Sequence, residues 1–142
     1  MSKITPIKKN EYLKLMKIEK NIFGKKIFID QLKNYLNEGS IKIWKISTSK
    51  IIGFTIFYHV SDEIEIIRIG ITKSHQRKNY GTLIINKIKK LNVKRIFIEV
   101  SVENSQAINF YIKNGFKEIG IRKDYYKWNN DRIDALRLLF EY

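Results

Sequence analysis

The residues best suited to chemistry lie between Ile69 and Tyr111. The run Ile69-Gly70-Ile71-Thr72-Lys73-Ser74-His75-Gln76-Arg77-Lys78-Asn79-Tyr80-Gly81-Thr82-Leu83 leads from a strand-like segment into a helix start. At such a start, unpaired backbone N–H groups and the helix dipole favour an anion. Asn79 and Gly81 suit the left-handed backbone that curls a turn around phosphate oxygens, and Arg77 and Lys78 add positive charge. The glycine order is neither a Walker P-loop nor a dinucleotide fingerprint; taken alone, the segment also reads as a basic loop capping a helix. Downstream, Glu99 stands among apolar residues in Arg95-Ile-Phe-Ile-Glu-Val100. One reading makes it a general base working through water. The other puts it on a solvent face with Arg95 and Phe97, its period-two neighbours. Glu103 and Glu65 are lesser candidates for the base. Asn104 is a natural N-cap for the next helix. Tyr111 reads either as a core tyrosine whose hydroxyl finds a partner or as a proton donor.

Other chemistries are excluded by composition. Cysteine is absent and the only histidines are His59 and His75. Disulfides, thiolate metal sites, cysteine nucleophiles and histidine-rich zinc clusters are therefore out of reach, and no metal is expected. His75 sits in a basic loop and His59 in a strand; both are expected to be solvated bystanders.

These groups need a scaffold, and a chain of 142 residues with 44% hydrophobic and 30% charged content is sized for one domain over 1–142. A short strand is expected over Ser2–Lys8. A helix capped by Asn10 and stopped by Gly24 follows, with Tyr12, Leu15, Ile18 and Ile22 at helical spacing. Ile29, Leu32, Tyr35 and Leu36 mark a second short helix ending at Gly39. Three strands, Ile41–Ile46, Ile51–Val60 and Ile64–Ile71, form an antiparallel meander. A helix from Gly81 to about Lys90, with Leu83, Ile84, Ile88 and Leu91 inward, crosses over to the strand Arg95–Val100, which implies a parallel pair. The helix Ser105–Asn114 ends at Gly115, and the strands Phe116–Lys123 and Arg132–Tyr142 close the chain around a polar loop, Asp124–Asp131. The expected fold class is mixed α/β (α+β) in the order β-α-α-β-β-β-α-β-α-β-β, a mostly antiparallel sheet flanked by helices.

Gln76-Arg77-Lys78-Asn79-Tyr80-Gly81 before a helix, then Glu99, Asn104 and Tyr111 in order, resembles the GNAT family of N-acetyltransferases. There the corresponding segment is Gln/Arg-x-x-Gly-x-Gly/Ala; Asn79 takes the place of the first glycine. Glu99-Val100, Asn104, Ala107-Ile108, Phe110-Tyr111, Asn114-Gly115-Phe116, Tyr125-Tyr126 and Asp134-Ala135 narrow the resemblance to RimI-type and archaeal N-terminal acetyltransferases. Ile133 stands where that pattern has a glutamate. The resemblance implies acetyl-CoA as acetyl donor, with its pyrophosphate on the turn formed by Arg77, Lys78, Asn79, Tyr80, Gly81 and Thr82. It implies that Ile69, Gly70 and Ile71 offer backbone to the pantetheine arm and that Asn104 contacts the cofactor. By the same resemblance Glu99 is the base, Tyr111 protonates the departing thiolate, and Tyr125, Tyr126 and Trp128 lie on the peptide side. The implied acceptor is the N-terminal alanine of a small-subunit ribosomal protein.

Lysine and arginine number 28 against 14 acidic residues, a net charge of +14 with a pI near 9.9. Six of the 28 are arginines, and the lysines are spread with abundant isoleucine and asparagine, as compositional drift would leave them. The alternative is a polyanionic partner, with ribosome or RNA contact aided by Lys123 and Lys127 beside the aromatic group. No apolar stretch approaches a membrane span, so a cytoplasmic location without membrane contact is expected. Two other functions remain open: acetylation of a small-molecule amine or lysine side chain, and a basic RNA-binding module with a decayed CoA site.

Overall fold

The computed structural model describes residues 1–24, 31, 34, 37–128 and 131–142. The expected helix over Ile29, Leu32, Tyr35 and Leu36 lies outside the described residues. The remaining elements are β1 (Lys3–Pro6), α1 (Tyr12–Phe23), β2 (Ile41–Ser47), β3 (Ile51–Val60), β4 (Glu63–Ile71), α2 (Tyr80–Lys89), β5 (Arg95–Ser101), α3 (Ser105–Lys113), β6 (Lys117–Trp128) and β7 (Asp131–Glu141). They form a seven-stranded sheet in the order β1-β2-β3-β4-β5-β7-β6. Among the described residues its one parallel contact is β4 with β5, as the helical crossover requires.

The sheet separates two apolar layers. On one face Ile84, Ile85 and Ile88 of α2 and Tyr111 of α3 pack on Ile64, Ile66, Ile96, Ile98 and Val100. On the other, Leu15 of α1 packs with Ile41, Ile43, Phe54 and Ile56. Strand β3 is buried from Ile52 to Phe57 because both faces are covered. No helix among the described residues is long and apolar enough to cross a membrane.

Four local expectations are corrected. Asn10 caps nothing: Lys9–Glu11 form a single 3-10 turn, and the Glu11 carboxylate takes over by accepting from the Lys8 N–H at 3.0 Å and pairing with Lys45. The first strand stops at Pro6, whose ring nitrogen has no hydrogen to donate. Leu83 is exposed and Ile85 takes its place inward. The segment Asp124–Asp131 is mostly strand, with β6 and β7 paired out to Trp128 and Asp131. A register shift between Arg122 and Tyr126 absorbs the polar residues: Asp124 turns to φ 56° and donates its N–H to the Asp134 carboxylate at 2.9 Å.

Candidate active site

Rungs between β4 and β5 end at Ile66 and Ile98, although β4 continues to Ile71 and β5 to Ser101. Beyond that point the β4 edge facing β5 has no partner strand among the described residues. A cleft of about 470 Å³ opens there, lined by Ile69, Gly70 and Ile71 on one side and by the start of α2 on another.

The turn into α2 is held from within. Gln76 Nε2 donates to the Ile71 carbonyl at 2.9 Å, and His75 Nδ1 lies 3.0 Å from the Thr72 hydroxyl and 2.9 Å from that of Ser74. Asn79 adopts φ 67°, the left-handed conformation anticipated for it, and its side chain makes no capping bond. The first-turn amides of α2 therefore stay available to a ligand. Arg77 is also left-handed, at φ 61°. Gly81 is needed for a different reason from the one expected. A Cβ there would come within 2.9 Å of the Phe110 ring, so the glycine allows α3 to close on the helix start. Arg77, Asn79, Tyr80, Gly81 and Thr82 all line the cleft; Lys78 is exposed outside it.

The third wall comes from α3. Asn104 spends its Oδ1 on a cap, accepting from the Ala107 N–H at 3.1 Å, and still lines the cleft. Tyr111 is buried, edge-on between Phe110 (5.0 Å) and Phe116 (5.4 Å), and also lines the cleft. Burial pushes its phenol well above the usual tyrosine range. Such a phenol keeps its proton until a stronger base arrives.

Glu99 lies outside this lining. It projects from β5 on the face opposite Ile98 and Val100, as the period-two pattern requires. It is no solvent-face glutamate: its side chain is 15% exposed, with Arg122 Nη1 at 3.3 Å and Arg137 Nε at 3.5 Å. The Tyr126 hydroxyl approaches the Glu99 carbonyl at 3.5 Å, and burial is the main reason its phenol is raised. Tyr125 is exposed beneath the Arg122 guanidinium, 4.5 Å from its ring. Glu65 and Glu103 are exposed and away from the cleft. His59 remains apart from it, whereas His75, expected in solvent, is half-buried in its wall.

Residues 11–116 match the Acetyltransferase (GNAT) family. The chain belongs to the GNAT family of acetyltransferases. This GNAT chain is 32% identical over 130 residues to the [ribosomal protein bS18]-alanine N-acetyltransferase of Haemophilus influenzae, covering 89% of this chain and 88% of that one. Its fold superposes on the ribosomal-protein-S18-alanine N-acetyltransferase of Escherichia coli with a TM-score of 0.87, at 23% identity over 99% and 94% of the two chains. Arabidopsis thaliana NAA60 in complex with acetyl-CoA shares the fold too, at a TM-score of 0.84 and 17% identity over 99% and 98%. As a GNAT enzyme it is an N-acetyltransferase, and the family uses acetyl-CoA. Sequence reasoning missed Phe110 behind Gly81, the Ile22–Phe23 wall and the arginines around Glu99. Arg122 and Arg137 carry no local signal, because they meet Glu99 only through the pairing of β5, β7 and β6.

Proposed function

We propose that the chain, acting as one domain over residues 1–142 in the cytoplasm, acetylates the N-terminal α-amino group of a protein, the alanine of a small-subunit ribosomal protein. The observation that carries this reading is the uncapped start of α2 opening onto the same cleft as Tyr111 and the unpaired edge of β4. The names of the relatives support the choice of acceptor.

The residues present fit acetyl-CoA. The first-turn amides of α2 are free, and Gly70 and Gly81 let Ile22, Phe23 and Phe110 pack close as cleft walls where a Cβ would meet them at 2.9–3.0 Å. Acetyl-CoA supplies the acetyl group as an activated thioester. The amides of Tyr80, Gly81 and Thr82 hold the diphosphate, with Arg77 and Lys78 adding charge at the rim. Ile69, Gly70 and Ile71 bind the amide groups of the pantetheine arm as a strand edge binds a strand, and a β4 amide polarises the thioester carbonyl. Asn104, its oxygen already engaged, offers its amide N–H groups. Glu99 takes a proton from the acceptor through water. The acceptor's α-ammonium, ordinarily with a pKa of about 7.7–8.0, needs little help to become neutral. Tyr111, kept protonated by burial, returns a proton to the departing thiolate.

The test is release of free CoA thiol with a peptide beginning in alanine. Transfer is expected, and it disappears when the α-amino group is blocked. Turnover surviving the block moves the acceptor to a lysine or a small amine. RNA retention that falls steeply with salt and comes with no transfer turns the reading to a nucleic-acid module.

A further inference from the structure

Among the described residues, one buried side-chain atom lacks a hydrogen-bond partner: Oε2 of Glu19. Glu19 is 1% exposed, on the inner face of α1 between Leu15 and Ile22. A carboxylate so placed demands an explanation, since burial of an unpaired charge is costly. Its other oxygen, Oε1, accepts from Arg68 Nη1 at 2.9 Å.

Arg68 reaches Glu19 through a defect in the sheet. In the β3–β4 register Ile56 faces Arg68 and Phe57 faces Ile66, leaving Ile67 as an extra residue. Ile67 packs with the α1-side cluster and Arg68 pairs with α1, so two successive residues face the same way. Such bulges re-aim side chains beside functional sites. The Arg68 guanidinium also lies 4.6 Å from the centre of the Phe23 ring. Phe23 and Ile22 are the cleft wall that touches Gly70. Arg68 is thus held beneath by a carboxylate and on its flank by an aromatic ring, while its side chain stays 41% exposed. A guanidinium has five N–H donors, and Glu19 is its one side-chain acceptor among the described residues. Gly70, two residues on, lines the cleft. Glu99 projects on this same face of the sheet, opposite Ile98 and Val100, and the Arg68 charge acts on the Tyr126 phenol.

We propose that Arg68 binds an oxygen of the acceptor, a peptide carbonyl beside the reacting amine, and that Glu19 is the positioning residue that fixes the guanidinium for it. The inference rests on the peptide-acetylation reading above. It selects acceptors that carry carbonyl oxygens next to the amine and works against polyamines, whose additional positive charge meets another cation.

The experiment is steady-state kinetics with an alanine-starting hexapeptide on the full chain. The double variant Glu19→Gln with Arg68→Gln keeps a neutral, hydrogen-bonding pair and so guards the fold. Its peptide KM should rise about tenfold or more, the range of one lost charge-assisted hydrogen bond, with the acetyl-CoA KM unchanged. Glu19→Leu alone should raise the peptide KM, and Glu19→Gln alone should largely restore it, since an amide oxygen still receives Arg68. An unchanged peptide KM in the double variant, with transfer intact, overturns this inference and leaves the acetylation reading standing. An equal rise in both KM values also overturns it, because the effect is then not on acceptor binding. No transfer by the unaltered chain would overturn both.

Discussion

On the α2 side of the cleft, the polar groups on offer are backbone: an uncapped helix start and a left-handed Asn79, with Gly81 pressed against Phe110. On the α1 face of the sheet, outside the cleft lining, the polar groups are side chains: Glu19 with Arg68, and Glu99 with Arg122 and Arg137. A backbone site suits a ligand part that never varies, the diphosphate of the donor, because the peptide chain offers its amides whatever side chains surround it. A side-chain site can be retuned by single substitutions, which suits the part that differs between enzymes of one fold, the acceptor. The two helix starts make the same contrast. Asn104 caps α3 with its own oxygen, which engages the Ala107 N–H, whereas α2 has no side-chain cap.

Changes on the two sides should separate kinetically. Glu99→Gln should lower kcat about a hundredfold or more, as loss of a general base does, with the acetyl-CoA KM near normal. Tyr111→Phe should lower kcat in the same manner, with the acetyl-CoA KM near normal. An unaltered rate across pH in Glu99→Gln removes that residue from the chemistry. On the donor side, Gly81→Val drives a side chain into the Phe110 ring and should raise the acetyl-CoA KM by roughly tenfold to a hundredfold, in the range set by overpacking. The peptide KM should change little, and a rise confined to the peptide would reverse the assignment of the two sides.

The smallest effect concerns stability. Burial raises the Glu19 carboxyl to about 7, against the pull of Arg68. Between the unfolded value near 4.3 and about 7 the native state binds more protons than the unfolded one, so this residue's contribution to stability falls as pH rises through that window. Glu19→Gln does not titrate. Its Tm relative to the parent should therefore climb from pH 5 to pH 7 and level off above. A difference that stays constant or shrinks over that range contradicts the buried, paired carboxyl.

The fold could be read at the level of elements because isoleucine, phenylalanine and tyrosine recur with the right periods, and the crossover predicted the parallel β4–β5 pair that the structure has. Edges failed where one residue changes the outcome, as when a bulge at Asp124 turned an expected loop into strand. The α2 turn was legible because its backbone conformations call for particular residue types, Asn79 among them. Arg122 and Arg137 were not, since their contact with Glu99 depends on strand pairing far apart in sequence. Glu19 did leave a trace: it sits four residues after Leu15 and three before Ile22, a carboxylate inside an apolar helical stripe. Arg68 left none, because a regular strand would have sent it to the opposite face; only the extra residue Ile67 turns it toward α1.

On the reading proposed above, the open amides of α2 grip a diphosphate and so bring a thioester to Tyr111 and Glu99. Calorimetric titration of the chain with CoA and, in parallel, with pantetheine, which shares the thiol arm but has no diphosphate, tests it most directly. CoA should bind at least about a hundredfold more tightly. Equal affinity for the two, or no binding of CoA, would contradict the account.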